Sequence, residues 1–297
     1  MRLIVTADLH YNHQRSKPLA EALIAEIDRV CDESSAQSPI DALLFAGDTA
    51  VADGDSLEQC LSRVRFAGEK IFIAGNHEMW TRSDDSYKIF RESLPQRVRN
   101  LGWRWLEDNP FVAPDRRVAI VGSVGWYDYS FAVRQLGIPR RFYERKVSPG
   151  AAARLAGFDS LLAERSDVSA EAMEIVARWN DGKFVKLHRS DEAFLDELLA
   201  NLRAQLDLLR DVPHVLAAVH HVPFERLLPP KHGSQWDFVR AYLGSERIGE
   251  LLLRYPNVRD VICGHSHFGA EAMIGNIRAI NIGSGYRAKI YRVIQLG

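Results

Sequence analysis

Five times along this chain a short apolar run, rich in β-branched residues, ends abruptly in Asp, Asn or His. Leu3-Ile4-Val5 leads to Asp8-Leu9-His10, and Ile40 to Ala46 leads to Gly47-Asp48. Ile71-Phe72-Ile73-Ala74 leads to Gly75-Asn76-His77-Glu78. Val215 to Val219 leads to His220-His221, and Val258 to Cys263 to Gly264-His265-Ser266-His267. Runs of this length and composition read as buried strands. Amide, imidazole and carboxylate heads are costly to bury without partners, so their recurrence at strand ends asks for a common partner. A sheet of parallel strands supplies the geometry, because its carboxyl ends lie side by side and form the usual site of α/β proteins.

Helical spacing fills the intervals. Leu19, Leu23, Ile27 and Val30 form one stripe over 18–33. A helix is expected from about Asp55, with Asp55 and Glu58 at capping-box spacing, and another over 83–94 with Ser83 as its cap. A further strand over 117–123 precedes Trp126-Tyr127-Asp128-Tyr129. This strand–helix–strand rhythm predicts an α/β fold. It breaks over 130–212, where no strand-like apolar run occurs. Phe194, Leu198, Leu202, Leu206 and Leu209 give a helix over 191–210 with Ser190 as N-cap. The chain is therefore expected to be one domain, 1–297, carrying an inserted helical cap or lid at 130–212. Short strands around 269–274, 277–282 and 288–295 close it.

Net charge bounds the partners. At −1 over 297 residues there is no global attraction to nucleic acid or to an anionic membrane. No apolar run approaches membrane-spanning length, and Asp8 comes too early for a signal peptide. Cys31, Cys60 and Cys263 form no C-x-x-C pair, which argues against a disulfide framework and a thiolate zinc site. A reducing, cytoplasmic location is expected.

Six of the ten histidines fall in the strand-end clusters. With Asp8, Asp48 and the Asn76 amide they make a mixed oxygen and nitrogen donor set, suited to Mn²⁺, Fe or Zn²⁺. The donors suffice for two metals that share a bridge.

In this order, D-x-H, G-D, G-N-H-E, a His after a strand and G-H-x-H, the chain resembles the calcineurin-like metallophosphoesterase family. The likeness covers 1–129 and 213–297 and leaves the insertion aside. It implies a four-layer α/β/β/α sandwich with two mixed β-sheets. It also implies two divalent metal ions, with Mn²⁺ first and Fe or Zn²⁺ as alternatives. It assigns Asp8, His10 and His267 to one metal and Asn76, His220 and His265 to the other, with Asp48 as the bridge. His220 directly follows its strand and is the first choice as ligand. His221 has the family's spacing to Pro223 and is the second choice. His77 is implied to be catalytic without binding metal, donating to the phosphate or its leaving oxygen. Glu78 is expected to orient a histidine.

The activity implied is hydrolysis of a phosphate monoester or diester by a metal-bridging hydroxide, on a small-molecule or nucleotide substrate. Two rivals stand beside it. One is a nuclease using the basic run Arg134, Arg140, Arg141, Arg145 and Lys146, for which a solvated face is the preferred reading. The other is a non-catalytic scaffold, disfavoured because no ligand position is missing. His13, Trp126, Tyr127 and Tyr129 are candidates for touching substrate; burial under the cap is the alternative for the aromatics. His188, His214 and His232 read as structural or surface residues, and Cys263 as a small buried hydrophobe.

Overall fold

The computed structural model describes residues 1–34, 39–82 and 85–297. Eleven strands occur among them: β1 Arg2–Thr6, β2 Ala42–Ala46, β3 Glu69–Ile73, β4 Arg104–Trp105, β5 Phe111–Val112, β6 Val118–Ser123, β7 His214–Val219, β8 Val258–Cys263, β9 Ala270–Ile274, β10 Ile277–Asn281 and β11 Tyr291–Gln295. They form two sheets, ordered β11-β1-β2-β3-β4 and β5-β6-β7-β8-β10-β9. Parallel pairing runs through β1-β2-β3-β4 and β6-β7-β8-β10, while β11, β5 and β9 join antiparallel. Both sheets are mixed, as the family resemblance implies.

Side-chain alternation stacks the layers. Leu3 and Val5 of β1, Leu44 of β2 and Ile71 of β3 face Val118, Ile120, Leu216 and Ile262 of the second sheet in one apolar cluster. Ile4, Leu43 and Phe45 instead join a second cluster with Ala20, Ile24 and Ile27 of the helix Lys17–Glu33. Ala119 and Val121 of β6 join Phe194, Leu198, Leu202 and Leu206 of the helix Asp191–Asp207 there. The order is thus helices, sheet, sheet, helices. Each fully buried Leu, Ile or Val contributes about 1.5–3 kcal/mol relative to exposure.

The helix expected over 191–210 spans Asp191–Asp207, and Ser190 Oγ accepts the Ala193 N–H at 3.1 Å as its cap. Two expectations are corrected. Asp55 makes no side-chain cap, because Glu58 turns outward to Arg97 and accepts from its Nη2 at 2.8 Å. Ser83 lies outside the described residues; Asp85 caps the turn Ser86–Lys88 by accepting the Lys88 N–H at 2.7 Å, and helical structure continues to Asn100. Strands β4 and β5, two residues each, are too short to leave a periodic signal.

Within 130–212, the helix Asp191–Asp207 covers the second sheet. The residues before it form short helices, including Arg140–Glu144, Pro149–Ala152, Ala170–Met173 and Asp181–Phe184. They have a small core of their own, with Phe142, Val147, Ala151 and Leu162. Among the described residues, no helix is long and apolar enough to cross a membrane.

Candidate metal centre

The carboxyl ends of β1, β2, β3, β7 and β8 all deliver side chains to one place, and backbone hydrogen bonds register the loops. Asp8 N–H donates to Gly47 O at 2.9 Å, His10 N–H to Asp48 O at 2.8 Å and Gly264 N–H to His220 O at 3.1 Å. Asp8, His10, Asp48, His265 and His267 adopt left-handed backbone, with φ of 54, 44, 54, 68 and 54°. Each such position costs about 1–3 kcal/mol and persists only where its surroundings hold it. Here the paired loops on two packed sheets do so.

Glycines keep the space open. A Cβ at Gly75 would lie 2.2 Å from Asp48 Oδ1 and 2.7 Å from His220 Nε2, and one at Gly264 would lie 2.4 Å from Asp8 Oδ2. Their role is close approach. Of the three motif glycines only Gly47, at φ +90°, is needed for turning.

The donors fall into three groups whose ligand atoms lie within 4.8 Å of one another: Asp8/His10/His267, His10/Asp48/His77 and Asp48/His220/His265. Asp48 and His10 are each shared by two groups. His10 Nε2 lies 2.9 Å from His267 Nε2. His220 Nε2 lies 3.2 Å from His265 Nδ1 and 3.3 Å from Asp48 Oδ1. Carbonyl partners set the tautomers. His220 Nδ1 donates to Ala46 O at 2.9 Å, and His265 Nε2 donates to Tyr242 O at 3.2 Å. The remaining nitrogens, Nε2 of His220 and Nδ1 of His265, face each other. Asn76 Oδ1 is buried with no hydrogen-bond partner. A converging set of imidazole nitrogens, carboxylate oxygens and an unpartnered amide oxygen fits divalent cations.

Electrostatics agrees. Burial, reinforced by neighbouring imidazoles, holds His10 and His265 well below the usual histidine range. Burial would also lower His220, but the Asp48 carboxylate outweighs it and raises His220 to about 9. Burial would raise Asp48, and the imidazoles of His220 and His77 outweigh it and hold it well below the carboxylate range. A cation in place of the shared proton would satisfy all these groups together.

His221 points elsewhere. Its Nδ1 donates to Val124 O at 2.9 Å, its Nε2 is buried without a partner, and burial lowers it to about 3. Of the two adjacent histidines, His220 is the one that groups with Asp48 and His265. His77 stacks on Trp80 with ring centroids 3.7 Å apart, and its Nε2 lies 3.8 Å from Asp48 Oδ2. Burial lowers its pKa against the pull of Asp48. His267 is the wettest donor of these clusters, with 29% of its side chain exposed, so the centre opens on that side.

The expectation for Glu78 is corrected. It meets no histidine; it accepts the N–H groups of Asp48 at 2.9 Å, Ala50 at 2.9 Å and Gly75 at 2.7 Å. It ties the second and third loops together through their backbones, and burial raises it to about 7. His13 is exposed, with its ring 5.0 Å from that of Tyr286. Trp126 and Tyr127 are fully buried and give their polar hydrogens to Asp191 at 2.8 Å and Asp181 at 3.0 Å, which places them under the insertion. Tyr129, also buried, donates to Asp191. His214 pairs with Asp260 at 2.6 Å, and His188 and His232 are exposed. In the basic run, Arg141 pairs with Asp167 and Lys146 with Asp191 inside the insertion.

Three contributors escape sequence reasoning. Tyr286 stacks on His10 with ring centroids 4.3 Å apart. Lys289 Nζ donates to Asp8 O at 2.6 Å. Asp181, in the insertion, accepts Asn76 Nδ2 at 2.8 Å. Tyr286 and Lys289 lie among the short C-terminal runs without Asp, Asn or His in a motif spacing, and Asp181 lies in a stretch with no strand rhythm. A cavity of about 630 Å³ lined by Met1, Asp41, Phe111 and Gly297 lies at the other end of the strands and holds no motif residue. Donor chemistry, not volume, locates the site.

Two packed mixed sheets with a histidine- and aspartate-rich centre at their carboxyl ends define a metal-dependent phosphoesterase. A family model for calcineurin-like phosphoesterases matches residues 1–269, and the chain belongs to that family. Among proteins it is similar to is the acyl-carrier-protein phosphodiesterase PptH of Mycobacterium tuberculosis, 26% identical over 94% of this chain and 76% of that protein. The crystal structure of the phosphopantetheinyl hydrolase PptH from M. tuberculosis superposes with a TM-score of 0.64 at 24% identity, covering 96% of this chain and 89% of that one. A dimetal phosphatase from Danio rerio superposes at 0.53 with 16% identity, covering 96% and 88%. Enzymes of this family use two divalent metals.

Proposed function

We propose that this chain hydrolyses a phosphodiester carried by a small molecule or a pendant group, using two divalent cations. Asp8, His10 and His267 would hold one cation and Asn76, His220 and His265 the other, with Asp48 shared between them. One observation carries the reading: Asp48 groups with His220 and His265 on one side and with His10 on the other, and His10 in turn groups with Asp8 and His267. The pair of cations, when bound, neutralises phosphoryl oxygens and acidifies water for attack on phosphorus. The protein's own part is positioning. Glu78 fixes the backbone beneath Asp48, and the carbonyls of Ala46 and Tyr242 fix two imidazoles. His77, held flat by Trp80, faces substrate and donates to a phosphate oxygen or the leaving oxygen. Mn²⁺ is the first metal to try, with Fe and Zn²⁺ behind it, since the donors are oxygen and imidazole nitrogen.

The activities for which the M. tuberculosis relative is named, phosphodiesterase and phosphopantetheinyl hydrolase, favour a phosphopantetheine-type diester. The pairing of Arg141 and Lys146 within the insertion speaks against a nucleic-acid track there. Three free cysteines support a reducing, cytoplasmic setting. The test is a panel of nitrophenyl mono- and diesters, nucleotides, a phosphopantetheinyl diester and DNA, offered to metal-stripped protein before and after Mn²⁺. Metal-dependent cleavage of the small diesters is expected. DNA cleavage far exceeding it, or full activity in stripped protein, overturns the reading.

A further inference from the structure

The insertion reaches the centre through one buried carboxylate. Asp181 Oδ1 accepts Asn76 Nδ2 at 2.8 Å and Trp80 Nε1 at 2.6 Å. Its Oδ2 accepts Trp179 Nε1 at 2.8 Å and Tyr127 Oη–H at 3.0 Å. Four donors fill the four acceptor sites of a carboxylate, so the group is locked in rotation. They come from the loop after β3, the loop after β6 and the insertion itself. Trp179 also stacks on Tyr242, at 5.5 Å and 5°, and Tyr242 is the residue whose carbonyl sets the His265 tautomer.

An amide has two ends, and this contact chooses between them. With the amide reversed, Asn76 oxygen would sit 2.8 Å from a carboxylate oxygen, which is repulsive. The observed end is the donor, so Oδ1 is left buried and without a partner. We propose that Asp181 is a positioning residue of the metal centre: it holds the Asn76 amide with its oxygen free for a cation, and thereby makes the insertion a structural part of that cation's site. Metal-site partners one bond removed act in this way, orienting the ligand and raising its donor strength. The proposal rests on the reading of Asn76 as a ligand given above.

The experiment uses full-length, metal-stripped protein titrated with Mn²⁺, with equilibrium dialysis for affinity and electron paramagnetic resonance for paired against isolated ions. Wild type is expected to take two ions and to show the coupled-pair signal. Asp181→Leu removes the acceptor that faces Asn76 and should weaken one ion by about 10–100-fold while leaving the other unchanged, the cost typical of an outer partner. One equivalent of Mn²⁺ then gives only the isolated-ion signal. Asn76→Ala should also weaken one ion, and Asn76→Ala/Asp181→Leu should be no worse than Asn76→Ala, because the two act in series. Asp181→Asn keeps an oxygen that can accept Asn76 Nδ2 and Trp80 Nε1 and should recover most of the affinity that Asp181→Leu loses. Trp179→Phe removes a donor from Asp181 without touching Asn76 and should keep both ions. Multiplying losses in the double variant, or wild-type binding in Asp181→Leu, overturns the proposal. If Asn76→Ala binds both ions normally, the ligand reading falls with it; if Asn76→Ala loses one ion and Asp181→Leu loses none, only the positioning role falls.

Discussion

The Asp8 carboxylate accepts the backbone N–H of His265, at 3.0 Å to Oδ1 and 3.2 Å to Oδ2, across 257 residues of sequence. This bond joins the loop after β1 in the first sheet to the loop after β8 in the second. Asp8 therefore has two duties, one to the donor cluster it shares with His10 and His267 and one to the seam between the sheets.

Asp8→Asn should separate those duties. Asparagine tolerates the φ of 54° and its oxygen still accepts the His265 N–H. The charge is lost, so Mn²⁺ affinity should fall by more than the roughly 10–100-fold that outer partners cost. The melting temperature of metal-free protein should move little. Calorimetry of the stripped variant beside dialysis checks both. A large drop in stripped-protein stability with intact metal binding would contradict the assignment.

Asp48 and His77 should part company in the same assay. Asp48 groups with His220 and His265 on one side and with His10 on the other, so Asp48→Asn is expected to weaken both ions together and to abolish turnover. His77 Nε2 lies at 3.8 Å from Asp48 Oδ2, within reach of that cluster, yet it is assigned to substrate. His77→Ala should keep two ions and lower kcat by about 10²–10⁴-fold, the scale of general acid–base catalysis. Equal loss of metal in both variants would make His77 a ligand.

The neighbouring histidines give a sharper contrast. In His221→Asn the amide can still donate to Val124 O, the contact His221 Nδ1 makes at 2.9 Å. Two ions and most activity should survive. His220→Asn leaves Asp48 Oδ1 and His265 Nδ1 without the nitrogen now 3.3 and 3.2 Å from them, and one ion should be lost. Metal analysis by plasma emission decides it; reversed losses would make His221 the ligand.

These relationships differ in how far the sequence announces them. The five strand-end clusters are legible because each is local: an apolar run fixes a strand, and its next residues fall at the sheet's edge. The two sheets follow from that rhythm plus the family resemblance. Asp181 is illegible for the opposite reason. It lies 105 residues from Asn76, in a stretch without strand rhythm, and only the folded chain brings them together. Glu78 is legible as a residue of the site and misread in its task, because spacing says nothing about whether a carboxylate meets an imidazole or three backbone N–H groups. Asp55 and Glu58 match a capping pattern, yet Arg97, 39 residues on, offers Glu58 a stronger charged partner.

A last prediction concerns stability away from the centre. Glu107 is fully buried behind β6, and its Oε1 accepts the Val124 N–H. Burial raises it to about 8 from an ordinary 4.5, against the pull of the Val124 N–H and Arg91, with Asp108 adding slightly to the rise. The folded chain thus keeps this proton through neutral pH, whereas the unfolded chain releases it above about 4.5. Unfolding sheds a proton in that window, so this contribution is complete below 4.5 and declines until the folded group ionises near 8. The slope is about 1.4 kcal/mol per pH unit while the difference is a whole proton. Arg91, raised above its ordinary value, stays charged throughout, and Glu78, raised to about 7, is common to both proteins compared. Glu107→Gln keeps the shape and an acceptor for Val124 and has no proton to lose. Urea unfolding of stripped protein at pH 5, 6, 7 and 8 should therefore show wild type losing stability with rising pH faster than the variant. Parallel curves would mean that Glu107 is ionised in the fold.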